Sequence, residues 1–240
     1  MTEIIESAKA LVDGARAQSL HIRLLGGIAV AIHCPESANP GRSYRDIDAY
    51  IPAKSQTAIS KYLVSIGYVA DKEFNLLNGD TRLLFHDPAH QRQLDIFVGE
   101  FSMCHRIPLS LDAHPYTVAV AELLLTKLQI IKLNPKDAHD GCALLRILTL
   151  GTSPAHAATR QRLAQLCGND WGLWRTLILN LERCVQYTVT HCPEFTSEVS
   201  TEATALRSML DASPKSLAYK MRATLGDKVK WYEEPEEVER

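Results

Sequence analysis

The sequence predicts an α/β (α+β) protein in which strands and helices mix over the first half and helices alone fill the second. Two observations carry this. Short apolar runs of strand length, separated by Gly, Pro and Asp turns, recur up to about residue 118. Beyond that point, apolar residues recur at helical spacing almost to the end. The change of pattern sets a boundary between 115 and 150, dividing the 240 residues into domains 1–115 and 116–240.

Ile4, Ile5, Ala8, Leu11, Val12 and Ala15 make one face of an amphipathic first helix. Ile22–Leu25 is a short apolar strand, broken by Gly26-Gly27 and followed by a helix at Ile28–His33. Residues 35–43 form a loop rich in Pro, Ser, Asn and Gly. A strand at Asp46–Ile51 and a helix at Ser55–Ile66 follow. Thr81–Phe85 and Gln93–Val98 are strands around an Asp87-Pro88 turn, and Ile107–Leu111 and Tyr116–Val118 are weaker strand candidates. Ala121–Leu133 is helical. Asn134-Pro135 then supplies an N-cap and a first-turn proline for a helix at Lys136–Leu148. Trp174, Leu177, Ile178, Leu181, Cys184 and Val185 form the core stripe of a long helix; Glu194–Leu210 and Lys215–Leu225 complete the set, the last stopped by Gly226.

A net charge of −2 supplies no global attraction to nucleic acid, so such a partner needs a local patch. One basic run, Lys215, Lys220, Arg222, Lys228 and Lys230, is either a solvated face or an RNA contact, and Glu233, Glu234, Glu236, Glu237 and Glu239 offset it. The start, Met1-Thr2-Glu3, has no signal-peptide pattern, and no apolar run approaches the roughly 20 residues of a membrane span. These features predict a cytoplasmic protein whose six cysteines are reduced and mostly buried. The Cys/His neighbours His33-Cys34, Cys104-His105 and His191-Cys192 fit no standard zinc spacing.

Three features carry chemistry together. Gly26-Gly27 sits where a strand turns into a helix; it is either a simple turn or a place where phosphate meets backbone N–H groups. In Arg45-Asp46-Ile47-Asp48, strand alternation turns Asp46 and Asp48 to one side and Ile47 and Ala49 to the core. Carboxylates whose Cα atoms are roughly 6–7 Å apart can converge on one magnesium ion or on two. The alternative, a polar face of an edge strand, is weakened because Asp is depleted in strands. In the third segment Leu94, Ile96 and Val98 share the core face and Asp95 lies on the other. If the two strands are neighbours, three carboxylates cluster, and their repulsion calls for a divalent cation.

Leu24-Leu25-Gly26-Gly27 with its following helix, Asp46-Ile47-Asp48 and the later Asp95 resemble the nucleotidyltransferase superfamily of the DNA-polymerase-β type. Leu123-Leu124-Leu125-Thr126-Lys127-Leu128 and Lys136-Asp137-Ala138-His139-Asp140 narrow the resemblance to AbiEii-type nucleotidyltransferases, toxins of bacterial toxin–antitoxin pairs. The resemblance covers about residues 20–150. It implies a mixed sheet with flanking helices followed by an all-helical C-terminal domain. It also implies transfer of a nucleotidyl group from a nucleoside triphosphate such as ATP to a hydroxyl, with release of pyrophosphate. Asp46, Asp48 and Asp95 would hold Mg2+, one ion or two. Gly26, Gly27, Arg42 and Lys127 would position the triphosphate, and Asp137, with Asp140, would complete the site. The implied acceptor is tRNA, a protein or a small molecule such as an antibiotic, and an antitoxin protein is an implied partner. A non-catalytic nucleotide-binding protein of the same fold is the rival reading. Where the family has a small hydroxyl residue two places before the first Asp, this chain has Tyr44. Apart from the resemblance, Lys127 can snorkel at the rim of a core helix, and Asp137 can serve the helix N-terminus.

Overall fold

In the computed structural model, which describes residues 2–34 and 39–234, helix α1 (Thr2–Ala17) leads into strand β1 (Arg23–Leu25) and helix α2 (Gly26–His33). Strand β2 (Ile47–Ile51), helix α3 (Gln56–Ser65), strand β3 (Val69–Ala70) and helix α4 (Lys72–Asn78) follow. Strands β4 (Arg82–Asp87) and β5 (Arg92–Val98) then complete a five-stranded sheet of order β1-β2-β5-β4-β3. The sheet is mixed: β2 and β5 run parallel, and the other neighbours are antiparallel. Residues 35–38 of the loop read at 35–43 lie outside the described residues, as do Glu236, Glu237 and Glu239 of the acidic tail.

Alternation of side chains gives the sheet two unlike faces. Leu24, Ala49, Ile96 and Leu83 are register neighbours on the core face and are all buried. Leu25, Asp48, Asp95 and Leu84 make the corresponding row on the other face, with Arg23, Tyr50, Phe97 and Arg82 in the row beside it.

Two-residue strands β6 (Phe101–Ser102) and β7 (Arg106–Ile107) pair with each other. The strand expected over 107–111 is cut to Ile107 because Pro108 has no N–H for a ladder. At 116–118 the chain makes one isolated parallel bridge, Thr117 to Leu24, instead of a strand.

The remaining elements are helices α5 (Val120–Leu128), α6 (Pro135–Leu150), α7 (Pro154–Asn169), α8 (Trp171–His191), α9 (Thr196–Ala212) and α10 (Leu217–Leu225). Within this set α6, α8 and α9 pack on one another, α5 packs on α6, α7 and α8, and α10 packs on α8 and α7. Asn134 caps α6 by accepting from the Asp137 N–H, and Asp170 and Ser216 cap α8 and α10 in the same way. The helix expected to reach Leu133 ends at Leu128. Asn180 Nδ2 takes the carbonyls of Leu128 and Ile130, and Arg183 takes that of Ile131, so side chains of α8 satisfy groups a longer helix would have bonded internally.

The chain divides into two compact units. The first takes in the elements from α1 to β5 and the segment Pro108–Ala119; the second takes in Ser102–Ile107 and the chain from Val120 onward. All six cysteines are buried and free of disulfides. No described helix is long and apolar enough to cross a membrane.

In the first unit, His33 at the end of α2 places Nε2 2.7 Å from Thr117 Oγ1, with its ring centroid 4.6 Å from that of His114. Burial, reinforced by the neighbouring His114, pushes the His33 imidazole down from its ordinary 6.5 to about 4. At neutral pH both folded and unfolded chains hold His33 neutral. As the pH falls through 6.5, the unfolded chain takes up a proton that the folded one refuses. Stability is therefore expected to fall between about pH 6.5 and 4, by on the order of 3 kcal/mol for this group. Urea unfolding at pH 7 and pH 5 measures the loss. A His33→Asn variant showing the same pH slope as the wild type would remove His33 as its source.

Candidate functional site

The strand-to-helix switch at Gly26 organises the first unit's polar face. Gly26 has φ +61°, a left-handed conformation that glycine adopts without a Cβ penalty. Its missing Cβ also makes room for Asp48, whose Oδ2 a side chain at position 26 would overlap. Gly27 is shielded by the loop ahead of β2: a Cβ there would lie 2.8 Å from the Tyr44 ring and 3.2 Å from an Arg42 guanidinium nitrogen. Arg42 lies over the Tyr44 ring at 5.2 Å, so the two side chains form one layer against the start of α2. Gly26, Gly27, Arg42 and Asp48 are thus neighbours, and Tyr44 belongs with them.

Asp48 and Asp95 are direct register partners on the parallel pair β2 and β5. Their Cα atoms are therefore about 4.8 Å apart, the ordinary spacing of neighbouring strands. Asp48 is half-buried and Asp95 is only 5% exposed. Asp46 sits in a bend one residue before β2, where the sequence places it inside the strand. On the β1 side, the register would set Asp46 opposite Gly27, which is already helical.

Arg82 on β4 is the residue that sequence reasoning missed. It reaches diagonally to Asp95, donating from Nε to Oδ1 at 2.8 Å and from a terminal nitrogen to Oδ2. The pairing is bidentate, the strongest form an arginine–carboxylate contact takes. Its guanidinium also lies 5.1 Å from the Phe97 ring centroid. The Asp95 hydrogen bond raises the Arg82 pKa, against the opposing effect of burial, and the charges of Asp95 and Asp48 add to the rise. The positive charge that clustered carboxylates call for is thus supplied, at Asp95, by a side chain.

No protein-family model matches this chain, and no curated protein matches it.

The chemistry of Asp46, Asp48 and Asp95 suits a hard cation such as Mg2+, which takes carboxylate oxygens. Among the described residues, however, no three His, Cys, Asp or Glu side chains gather as a metal-holding group. Asp46 and Asp48 fit such an ion by type. Asp95 fits by type and place, with both oxygens turned to Arg82.

Lys127, Asp137 and Asp140 belong to the second unit and meet there. Lys127 Nζ lies 2.8 Å from Asp137 Oδ1 and 3.0 Å from Asp140 Oδ2. The lysine side chain is 12% exposed and the Asp140 side chain is fully buried, so Lys127 does not snorkel to solvent. Asp137 sits in the first turn of α6, the helix N-terminus read for it from the sequence: its N–H is capped by Asn134, and its carboxylate binds Lys127 and accepts from Asn134 Nδ2 at 2.6 Å. Three of the five members of the basic run near the C-terminus are engaged within the second unit: Lys215 with the Leu210 carbonyl, Arg222 with those of Gly226 and Val229, and Lys230 with Glu234.

Proposed function

We propose that the first unit binds a nucleoside triphosphate with magnesium and transfers its nucleotidyl group to a hydroxyl, releasing pyrophosphate. The observation that carries this reading is the register of Asp48 opposite Asp95 beside Gly26, whose backbone Asp48 packs against. Carboxylates on neighbouring strands next to a glycine-opened helix start bring cation ligands and phosphate-binding N–H groups to one place.

In this reading Asp46 and Asp48 hold Mg2+, which neutralises charge on the phosphates when bound. The α2 N-terminus at Gly26-Gly27 and the Arg42 guanidinium orient the triphosphate. Asp95 helps hold the metal and takes the acceptor's proton, or aligns the hydroxyl that loses it. All of these residues lie in the first unit. A toxin acting on tRNA or a protein, held by an antitoxin, is the biological role that the AbiEii resemblance suggests; an antibiotic-sized acceptor is the alternative. The bidentate Arg82–Asp95 pair favours a second reading, a nucleotide-binding protein without catalysis, because it occupies the carboxylate meant for the acceptor.

A triphosphate with Mg2+ is expected to raise the melting temperature, since a ligand bound only by the native state adds about 2.7 kcal/mol at a hundredfold excess over its Kd. Thermal scans with ATP, GTP, CTP and UTP, each with Mg2+ or with chelator, make the test. Asp46→Asn should lose the magnesium-dependent part of the shift. A melting curve unmoved by every triphosphate at millimolar concentration would end the proposal. Incubation with each labelled triphosphate and with tRNA, total protein or aminoglycoside then separates the acceptors, and label transferred to none of them favours the non-catalytic reading.

A further inference from the structure

We propose that Arg82 is an exchangeable counter-ion that couples triphosphate binding to divalent-metal binding; the inference rests on the nucleotide-binding reading above. Arg82 and Asp95 are not direct cross-strand partners. In the β4–β5 register Arg82 faces Phe97 and Asp95 faces Leu84, so the arginine crosses diagonally to its carboxylate. Its guanidinium lies over the Phe97 ring, and its side chain keeps 25% exposure while that of Asp95 has 7%. The arginine is therefore the more accessible partner of the pair and the carboxylate the covered one.

A guanidinium fork fits two oxygens of a phosphate as well as two of a carboxylate. A phosphate oxygen arriving beside Asp48 and Asp95 offers Arg82 an equivalent partner in the same place. Transfer of Arg82 to the phosphate leaves the Asp95 carboxylate to a divalent cation, so each ligand removes the cost of the other. Such coupling is reciprocal and commonly amounts to 5–150-fold in affinity. It also reconciles two facts that otherwise conflict: an acidic row suited to a cation, and an arginine already holding its most buried member.

Mn2+ titration followed by electron paramagnetic resonance, with and without a non-hydrolysable triphosphate, tests the exchange on the full chain. Arg82→Met should bind Mn2+ alone at least about fivefold more tightly than wild type, bind the triphosphate more weakly, and lose the gain in Mn2+ affinity that triphosphate gives the wild type. Arg82→Lys, which keeps the charge without the fork, should lie between the two in each measurement. It carries the test if the methionine variant does not fold. A purely structural Arg82 predicts that both affinities fall together, which overturns the exchange. Unchanged Mn2+ affinity in the variants of a protein that does bind triphosphate overturns it too, and leaves the nucleotide reading standing. A wild type that binds no triphosphate removes that reading, and the exchange with it, because nothing then receives Arg82.

Discussion

Lys127→Met is expected to destabilise the protein by about 3–5 kcal/mol, the cost of removing one partner from a buried ion pair. Lys127 serves two carboxylates, and the side chain of one of them, Asp140, is fully buried. Methionine fills most of the lysine's volume, so the loss reports charge and not a cavity. The effect is large against a total stability of roughly 5–15 kcal/mol. Chemical denaturation measures it, and the double variant Lys127→Met/Asp140→Asn should recover part, because the buried charge leaves with its partner. A loss of less than about 1 kcal/mol, an ordinary surface value, would show that the cluster does not hold the second unit together. A lysine whose sole task was to meet a triphosphate would leave stability untouched and weaken only binding. The measurement therefore decides between the structural role seen here and the binding role implied by resemblance.

The second large effect concerns Asp95. Asp95→Asn keeps the shape and an oxygen acceptor but removes the charge. If Asp95 serves the acceptor hydroxyl, turnover should fall by on the order of 10²-fold or more while much of the triphosphate affinity survives. Asp48→Asn should damage both, since the carboxylate beside Gly26 is assigned to the metal that links binding to chemistry. Transfer of label from the triphosphate, measured as kcat and KM for each variant, separates the two. A wild type that transfers label together with an Asp95→Asn variant transferring it equally well would keep the enzyme and take Asp95 out of its mechanism.

The sequence made the row of carboxylates legible because alternation is a local rule: Leu94, Ile96 and Val98 are apolar and buried, so Asp95 had to face the other way. Gly26-Gly27 was legible because glycine marks a change of backbone direction. Arg82 was hidden because its meeting with Asp95 depends on the β4–β5 register, which is set by the turn between the strands and leaves no mark at position 82. The Lys127 cluster was half visible. Its members were each singled out, but their contact requires α5 to stop at Leu128, and that end is set by Asn180 and Arg183 more than fifty residues on. Helix α7 escaped notice for a compositional reason: it buries only Leu163, Leu166, Cys167 and Gly168, and turns Arg160 and Arg162 to Glu202 and Glu122. An ion-paired face reads in sequence as a solvent face. Helix α4 is hidden for a related reason: it buries no residue, and its Leu76 and Leu77 are 85% and 76% exposed.

The segment Ser102–Ile107 bears on how the protein is made. It belongs to the second unit although Pro108–Ala119, which follows it, belongs to the first. Its contacts lie far ahead in the chain: the His105 N–H donates to Gln129 Oε1 at 2.6 Å, and His105 Nε2 pairs with Thr176 Oγ1, 71 residues later. At a synthesis rate of about 5–20 residues per second, that partner leaves the ribosome roughly 4–14 s after the histidine. Through that interval Ile107 and Cys104, both buried in the finished fold, have no completed helical unit to cover them. The nascent first unit can close its sheet while these six residues wait for their helical partners.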